Sequence, residues 1–187
     1  MFQLISTNIL LIGFLLTEVL LRKKGEAKSL ETEKSDKGST SIIGFSYIFS
    51  IILLILLSIT RLGFFDSIIT GCVGLLLMAI GLLLRIWSML ALGNFYSRTL
   101  RVVDNQKVIN KGPYSFIRHP GYLSSILIWV GTGLAIENWI LISIFTCLFF
   151  IVYIYRITVE EKMLVLEFGE EYNNYKKKTW RLIPFIF

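Results

Sequence analysis

Three groups of polar residues stand inside or at the edge of long apolar runs. The first is Arg118-His119-Pro120-Gly121-Tyr122. Pro120 favours a helix start, because the N–H it lacks would be unpaired in the first turn. A helix N-terminus offers free N–H groups and partial positive charge to an anionic ligand. His119, the chain's only histidine, is therefore either a ligand-binding group or a structural imidazole. No second His or Cys lies at ligand spacing, which argues against a metal site. The second group is Arg156, Glu160 and Glu161, at the exit of the last apolar run. Arg156 and Glu160 are four apart and share one face of a continuing helix, as an ion pair or as a charged binding site. The third is Arg85, inside a run, with only seven residues between it and Gly93. It either faces a bundle interior with a partner or snorkels to the interface. Its neighbour Trp87 reads as an interfacial anchor.

The elements that hold these residues must be membrane helices. Of 187 residues, 55% are apolar and 17% charged, and the mean hydropathy is +0.69. A soluble domain carries about 25% charged residues, so the chain is expected to be an integral membrane protein. Five apolar segments are candidate spans: Phe2 to Leu21, Ile42 to Thr60, Ile68 to Leu92, Tyr122 to Ile136 and Ile140 to Tyr155. The last two are short, roughly 23 Å each as helices, and the tight turn Glu137-Asn138-Trp139 makes them an antiparallel hairpin. Such a hairpin crosses fully or dips part of the way. Segment 22–41 holds six Lys/Arg, 93–121 five, and 156–187 six, alternating with nearly uncharged stretches. The positive-inside rule puts these three segments in the cytoplasm and the N-terminus outside, at the cell membrane in a prokaryote. That topology accounts for the +6 net charge without nucleic-acid binding.

Smaller features complete the expected layout. The first segment lacks a basic leader region and a small-residue cleavage site, so it reads as a retained span. Segment 22–41, with six basic and four acidic residues, reads as a flexible linker. Residues 101–109 suggest a short hairpin about Asp104-Asn105, followed by a turn at Lys111-Gly112-Pro113-Tyr114. Leu164, Phe168, Tyr172 and Tyr175 fall at spacings of four, four and three, one apolar face of a helix lying on the membrane. Lys176, Lys177 and Lys178 follow, placed to meet lipid phosphates. Cys72 and Cys147 sit inside apolar blocks and are expected to be small buried residues. Gly71, Gly74 and Gly81 permit close helix packing within or between chains, which leaves the oligomeric state open.

Taken together, the chain resembles the isoprenylcysteine carboxyl methyltransferases and their relatives, the phospholipid methyltransferases. The resemblance runs through Gly112-Pro113-Tyr114 and Arg118-His119-Pro120-Gly121-Tyr122. It continues through Arg156-Ile157 and Glu160-Glu161 to Phe168-Gly169-Glu170-Glu171-Tyr172, Tyr175 and Pro184. Arg85, Trp87 and Leu92-Gly93 also fit, so about residues 75 to 187 are covered. The expected fold is all-α, with about five transmembrane helices and a cytoplasmic C-terminal amphipathic helix. The expected division is residues 1–70, two extra spans, and 71–187, the methyltransferase core.

The resemblance implies S-adenosyl-L-methionine-dependent methylation of a lipidic acceptor that reaches the cytoplasmic site from the bilayer. S-Adenosyl-L-homocysteine is the product. The acceptor implied is a carboxylate such as that of an isoprenylated cysteine; a phospholipid amine is the alternative. For a carboxylate, Arg156 is the candidate anchor, because guanidinium grips carboxylate in bidentate fashion. Glu160 would orient Arg156, or act as base for a hydroxyl or amine. His119, Tyr122 and Glu161, with Arg118 and Pro120 in the same loop, are candidate cofactor contacts, and Gly112, Pro113 and Tyr114 would pack near the adenine. The lack of a glycine-rich loop after a strand excludes a Rossmann methyltransferase. A non-catalytic membrane scaffold and a sterol-type reductase are the readings from other classes. The first predicts no affinity for the methyl donor, the second a nicotinamide site.

Overall fold

The computed structural model describes residues 2–20, 36–93 and 108–184, so residues 22–35 of the linker expected over 22–41 and residues 101–107 of the hairpin expected over 101–109 lie outside the described residues, whereas 36–41 form a turn and the start of a helix rather than flexible linker. The described chain is helical: α1 (Phe2–Leu20), α2 (Ser39–Thr60), α3 (Ile68–Leu92), a 3₁₀ turn (Gly112–Ser115), α4 (Pro120–Ala135), α5 (Trp139–Phe168) and α6 (Glu170–Lys178). By length and composition α2, α3 and α5 can cross a membrane. The molecule is an all-helical, multi-pass integral membrane protein, and the large apolar side chains along the outer faces of these helices point outward, as lipid contact requires.

One expectation is met here and one needs correction. The helix of the fifth apolar segment continues past Tyr155, as expected from the spacing of Arg156 and Glu160. Nothing between Trp139 and Phe168 breaks a helix, and α5 continues for 30 residues, roughly 45 Å at helical rise. Its last four turns carry Arg156, Glu160 and Glu161, so these belong to the span's own helix. The apolar stripe from Leu164 to Tyr175, by contrast, is not one helical face. Gly169, at φ 51°, ends α5 and turns the chain into the nine-residue α6. Tyr172 and Tyr175 are buried by α6, whereas Leu164 and Phe168 stay half-buried on α5.

Close packing of α3 on α4 sets the site's geometry. A Cβ on Gly74 would collide with the Ala135 backbone nitrogen and lie 2.6 Å from the Gly131 carbonyl oxygen. One on Gly81 would stand 2.9 Å from the Ser124 carbonyl oxygen. The glycines at 74 and 81 therefore serve contact within the chain. The approach puts the buried Arg85 against the start of α4, where its Nη1 donates to the Gly121 carbonyl at 2.9 Å. Arg85 thus faces the bundle interior. Cys72 and Cys147, expected to be buried, are exposed on the outer surfaces of α3 and α5, where a thiol is apolar enough for lipid.

Between α4 and α5 lies an aromatic column. Trp129 stacks on Phe149 with ring centres 5.0 Å apart, and Phe149 on Tyr153 at 6.2 Å. Tyr47 of α2 closes it, its hydroxyl 2.8 Å from that of Tyr153. At one end of the bundle Asn138 caps α5 by accepting from the N–H groups of Ile140 and Leu141, and donates to the Leu62 carbonyl. This ties the α4–α5 turn to the α2–α3 loop. The polar cluster sits at the opposite end.

Candidate active site

At that end α4 begins, α5 emerges from its apolar stretch, and the chain after α6 returns. Pro120 occupies the first turn of α4, buried, with His119 as the residue before it. The returning segment pairs with this loop: the Arg118 N–H donates to the Trp180 carbonyl (2.8 Å) and the Trp180 N–H to the Phe116 carbonyl (2.9 Å). Three separate stretches of sequence thereby meet around two adjacent glutamates.

The two glutamates have different surroundings. Glu161 is buried, with a side chain 4% exposed, and is surrounded by cations. It accepts from Arg118 Nε at 2.8 Å and from Arg181 Nη2 and Nε at 2.7 and 3.1 Å. His119 Nε2 stands 3.3 Å away and Lys176 Nζ 4.0 Å. The Arg118 side chain is only 8% exposed and also donates to the carbonyls of Lys176 and Thr179. Glu160 is 23% exposed, and among the described residues it has no arginine or lysine within ion-pair distance. It accepts from the Tyr122 hydroxyl at 2.6 Å, and His119 Nδ1 lies at 3.5 Å. The imidazole therefore lies between the two carboxylates. It also stacks on Tyr122, with ring centres 5.5 Å apart and planes 10° from parallel. Tyr122 in turn stacks on Tyr153 at 5.0 Å, so the aromatic column runs up to His119.

Arg156 is 2% exposed and meets this network through Tyr122, its Nε donating to the hydroxyl at 3.1 Å. Its Nη1 turns the other way, to Asp36 (2.5 Å), Ser39 (2.6 Å) and Thr40 (2.9 Å) at the start of α2. Burial works against ionisation of Asp36. The Thr40 N–H, the Ser39 hydroxyl, the Arg156 charge and the Thr40 hydroxyl outweigh it and hold the carboxyl below the usual range.

Six sequence-predicted residues, Arg118, His119, Tyr122, Arg156, Glu160 and Glu161, thus form one connected network. Gly112, Pro113 and Tyr114 stand beside it in the 3₁₀ turn. Gly112 has φ 58°, and a Cβ there would come within 3.1 Å of Trp87 Nε1. Pro113 and Tyr114 are buried, and the Tyr175 hydroxyl of α6 donates to the Tyr114 carbonyl at 2.7 Å. Burial pushes the phenols of Tyr114, Tyr172 and Tyr175 up, so all three are neutral. Sequence reasoning missed Asp36 and Arg181. Arg181 carried no positional signal. Asp36, followed by Ser39 and Thr40 before an apolar run, has the pattern of a helix start, but its partner lies 120 residues away.

A family model described as phospholipid methyltransferase matches residues 69–171. The chain belongs to the phospholipid methyltransferase family. Its matched stretch begins with α3 and ends with the first residues of α6, so it includes both glutamates, His119 and Arg156. A rice protein (Oryza sativa subsp. indica), a probable protein-S-isoprenylcysteine O-methyltransferase, is 36% identical over 117 residues, 61% of each chain. The protein-S-isoprenylcysteine O-methyltransferase of Schizosaccharomyces pombe is 30% identical over 111 residues, 58% of this chain and 47% of that one. The match therefore spans about half to three-fifths of these relatives' length. A eukaryotic intramembrane Ras methyltransferase structure, isoprenylcysteine carboxyl methyltransferase, shares the fold with a TM-score of 0.64 at 22% identity, over 77% of this chain and 52% of that one. The resemblance to isoprenylcysteine carboxyl methyltransferases and related phospholipid methyltransferases holds.

Proposed function

We propose that this chain is an S-adenosyl-L-methionine-dependent O-methyltransferase acting on a lipidic, membrane-embedded carboxylate such as that of an isoprenylated cysteine. One observation carries the reading: the family's matched residues converge on a polar network capping an aromatic column between helices that face lipid. The relatives' substrate then suits a site reached from the bilayer side.

The residues present fit the methyl donor by their chemistry. Its amino-acid end needs a cation and an anion close together, as the Arg118, His119 and Glu161 cluster offers. Its adenine needs flat apolar walls, for which the neutral ring of Tyr114 and the backbone of Gly112 and Pro113 are suited, with Pro120 and Tyr122 closing the loop. When bound, the donor supplies an electrophilic methyl on a sulfonium. Arg156 anchors the acceptor carboxylate. Tyr122 holds Glu160 by its hydroxyl, and Glu160 orients Arg156 through that same hydroxyl. Burial of His119, and of Tyr153 beneath Tyr122, excludes water, which favours a reaction that cancels opposite charges. A carboxylate arrives ionised, so no base is required. We assign residues 71–187 to the core, five helices to the bilayer, and the site with the basic segments to the cytoplasmic side.

The family description favours a second acceptor, a phospholipid amine, for which Glu160 would take the proton. Calorimetric titration of detergent-purified protein with S-adenosyl-L-homocysteine, beside His119→Ala, tests the cofactor. Saturable binding weakened at least about tenfold by the substitution is expected, and no binding to folded wild type would refute the reading. Radiolabelled methyl transfer to an S-prenylcysteine carboxylate, and not to phosphatidylethanolamine, decides the acceptor.

A further inference from the structure

We propose that Asp36 is a positioning residue of the active site, holding Arg156, and through it Tyr122 and Glu160, in the arrangement that receives the acceptor. Asp36 lies outside the stretch matched by the family model, before the second helix. The inference rests on the methyltransferase reading above.

Asp36 is fully buried and is itself held in place. Its Oδ2 accepts from the Thr40 N–H at 3.0 Å and its Oδ1 from the Ser39 hydroxyl at 2.8 Å. Two left-handed residues, Lys37 (φ 46°) and Gly38 (φ 75°), fold the chain back so that carboxylate and hydroxyls face one point. That point is Arg156 Nη1. A second tie, from the Tyr155 hydroxyl to the Lys37 carbonyl at 3.1 Å, fixes the same turn on α5.

A buried ion pair is a poor device for merely joining two helices. Its desolvation cost offsets most of the attraction, and an apolar pair would join them at least as well. The polarity is explained by the other edge of the guanidinium. The group is planar and rigid, so fixing Nη1 on three oxygens fixes the direction of Nε. Nε donates to the Tyr122 hydroxyl, whose proton is thereby directed to Glu160 at 2.6 Å. Asp36, Arg156, Tyr122 and Glu160 form one chain of hydrogen bonds, and its first member comes from α2. Without the carboxylate, Arg156 turns toward Glu160, and both lose the orientation the acceptor meets.

The test compares wild type, Asp36→Asn and Tyr47→Phe, each purified in detergent. Tyr47→Phe removes a separate polar α2–α5 contact, to Tyr153, and leaves the Arg156 side chain's bonds to Asp36, Ser39 and Thr40 in place. Asp36→Asn is expected to lower kcat/KM for the prenylcysteine acceptor at least about tenfold and to leave the S-adenosyl-L-homocysteine Kd within about threefold. Tyr47→Phe is expected to keep kcat/KM within about threefold of wild type. Retained turnover in Asp36→Asn overturns the proposal, as does an equal loss in Tyr47→Phe or a matching loss of cofactor affinity. If Asp36→Asn does not fold, Ser39→Ala, which removes one acceptor of the same guanidinium nitrogen, replaces it; a loss of about threefold supports the proposal and an unchanged kcat/KM overturns it. Absence of turnover in wild type would count against the methyltransferase reading instead, so the two failures are distinct.

Discussion

Neighbouring glutamates on one helix should respond in opposite ways to the same isosteric change. Glu161→Gln removes the only carboxylate facing Arg118 and Arg181 among the described residues, and it leaves a buried guanidinium uncompensated. Breaking one partner of a buried pair costs about 3–5 kcal/mol. Here the amide oxygen still accepts a hydrogen bond, and Arg118 keeps the Lys176 and Thr179 carbonyls, which lowers the expectation to about 2–3 kcal/mol. Arg181 is 31% exposed, so its share is small after solvent screening. At this chain length about 2–4 °C of Tm accompany each kcal/mol, so Glu161→Gln should melt roughly 5–10 °C below wild type. Glu160→Gln loses only the charge beside a phenol and an imidazole, in a partly exposed position, and should shift Tm by less than about 2 °C. Yet Glu160→Gln should lower methyl transfer at least about tenfold. The assay is thermal unfolding followed by intrinsic fluorescence in one detergent, with turnover measured on the same samples. Equal destabilisation by the two substitutions, or a Glu161→Gln protein melting with wild type, would refute the division between them.

Other consequences are equally open to measurement. Gly74→Ala forces a methyl into the backbone of α4 and should cost about 3 kcal/mol or more, read as a large drop in melting temperature; a wild-type melt would show that α3 and α4 are not so close. His119→Ala should fold and lose cofactor affinity in the titration described above. The carboxyl of Asp36 binds protons less readily folded than unfolded. Its contribution to stability is therefore complete above the unfolded pKa of about 3.9 and is lost as pH falls through the lower folded value. The stability gap between wild type and Asp36→Asn should accordingly shrink below about pH 4; a gap independent of pH from 6 to about 3 would contradict that linkage.

What the sequence by itself determined follows from local physics. Apolar run length marks the membrane helices, because a chain in lipid must satisfy its backbone within each segment. Pro120 marks the start of α4, and the order of polar clusters marks the family. Periodicity misjudged the stretch from Leu164 to Tyr175, because side-chain spacing carries through Gly169 although the backbone does not. Only tertiary structure separated the surroundings of Glu160 and Glu161. Adjacent residues on a helix are turned about 100° apart, and what each meets depends on α4 and on the returning segment at Trp180–Arg181. The same holds for Asp36, whose cap-like pattern is local while its partner is 120 residues distant. Such a contact is fixed by the packing of α2 on α5, and that packing arises from buried area and shape summed over whole helices.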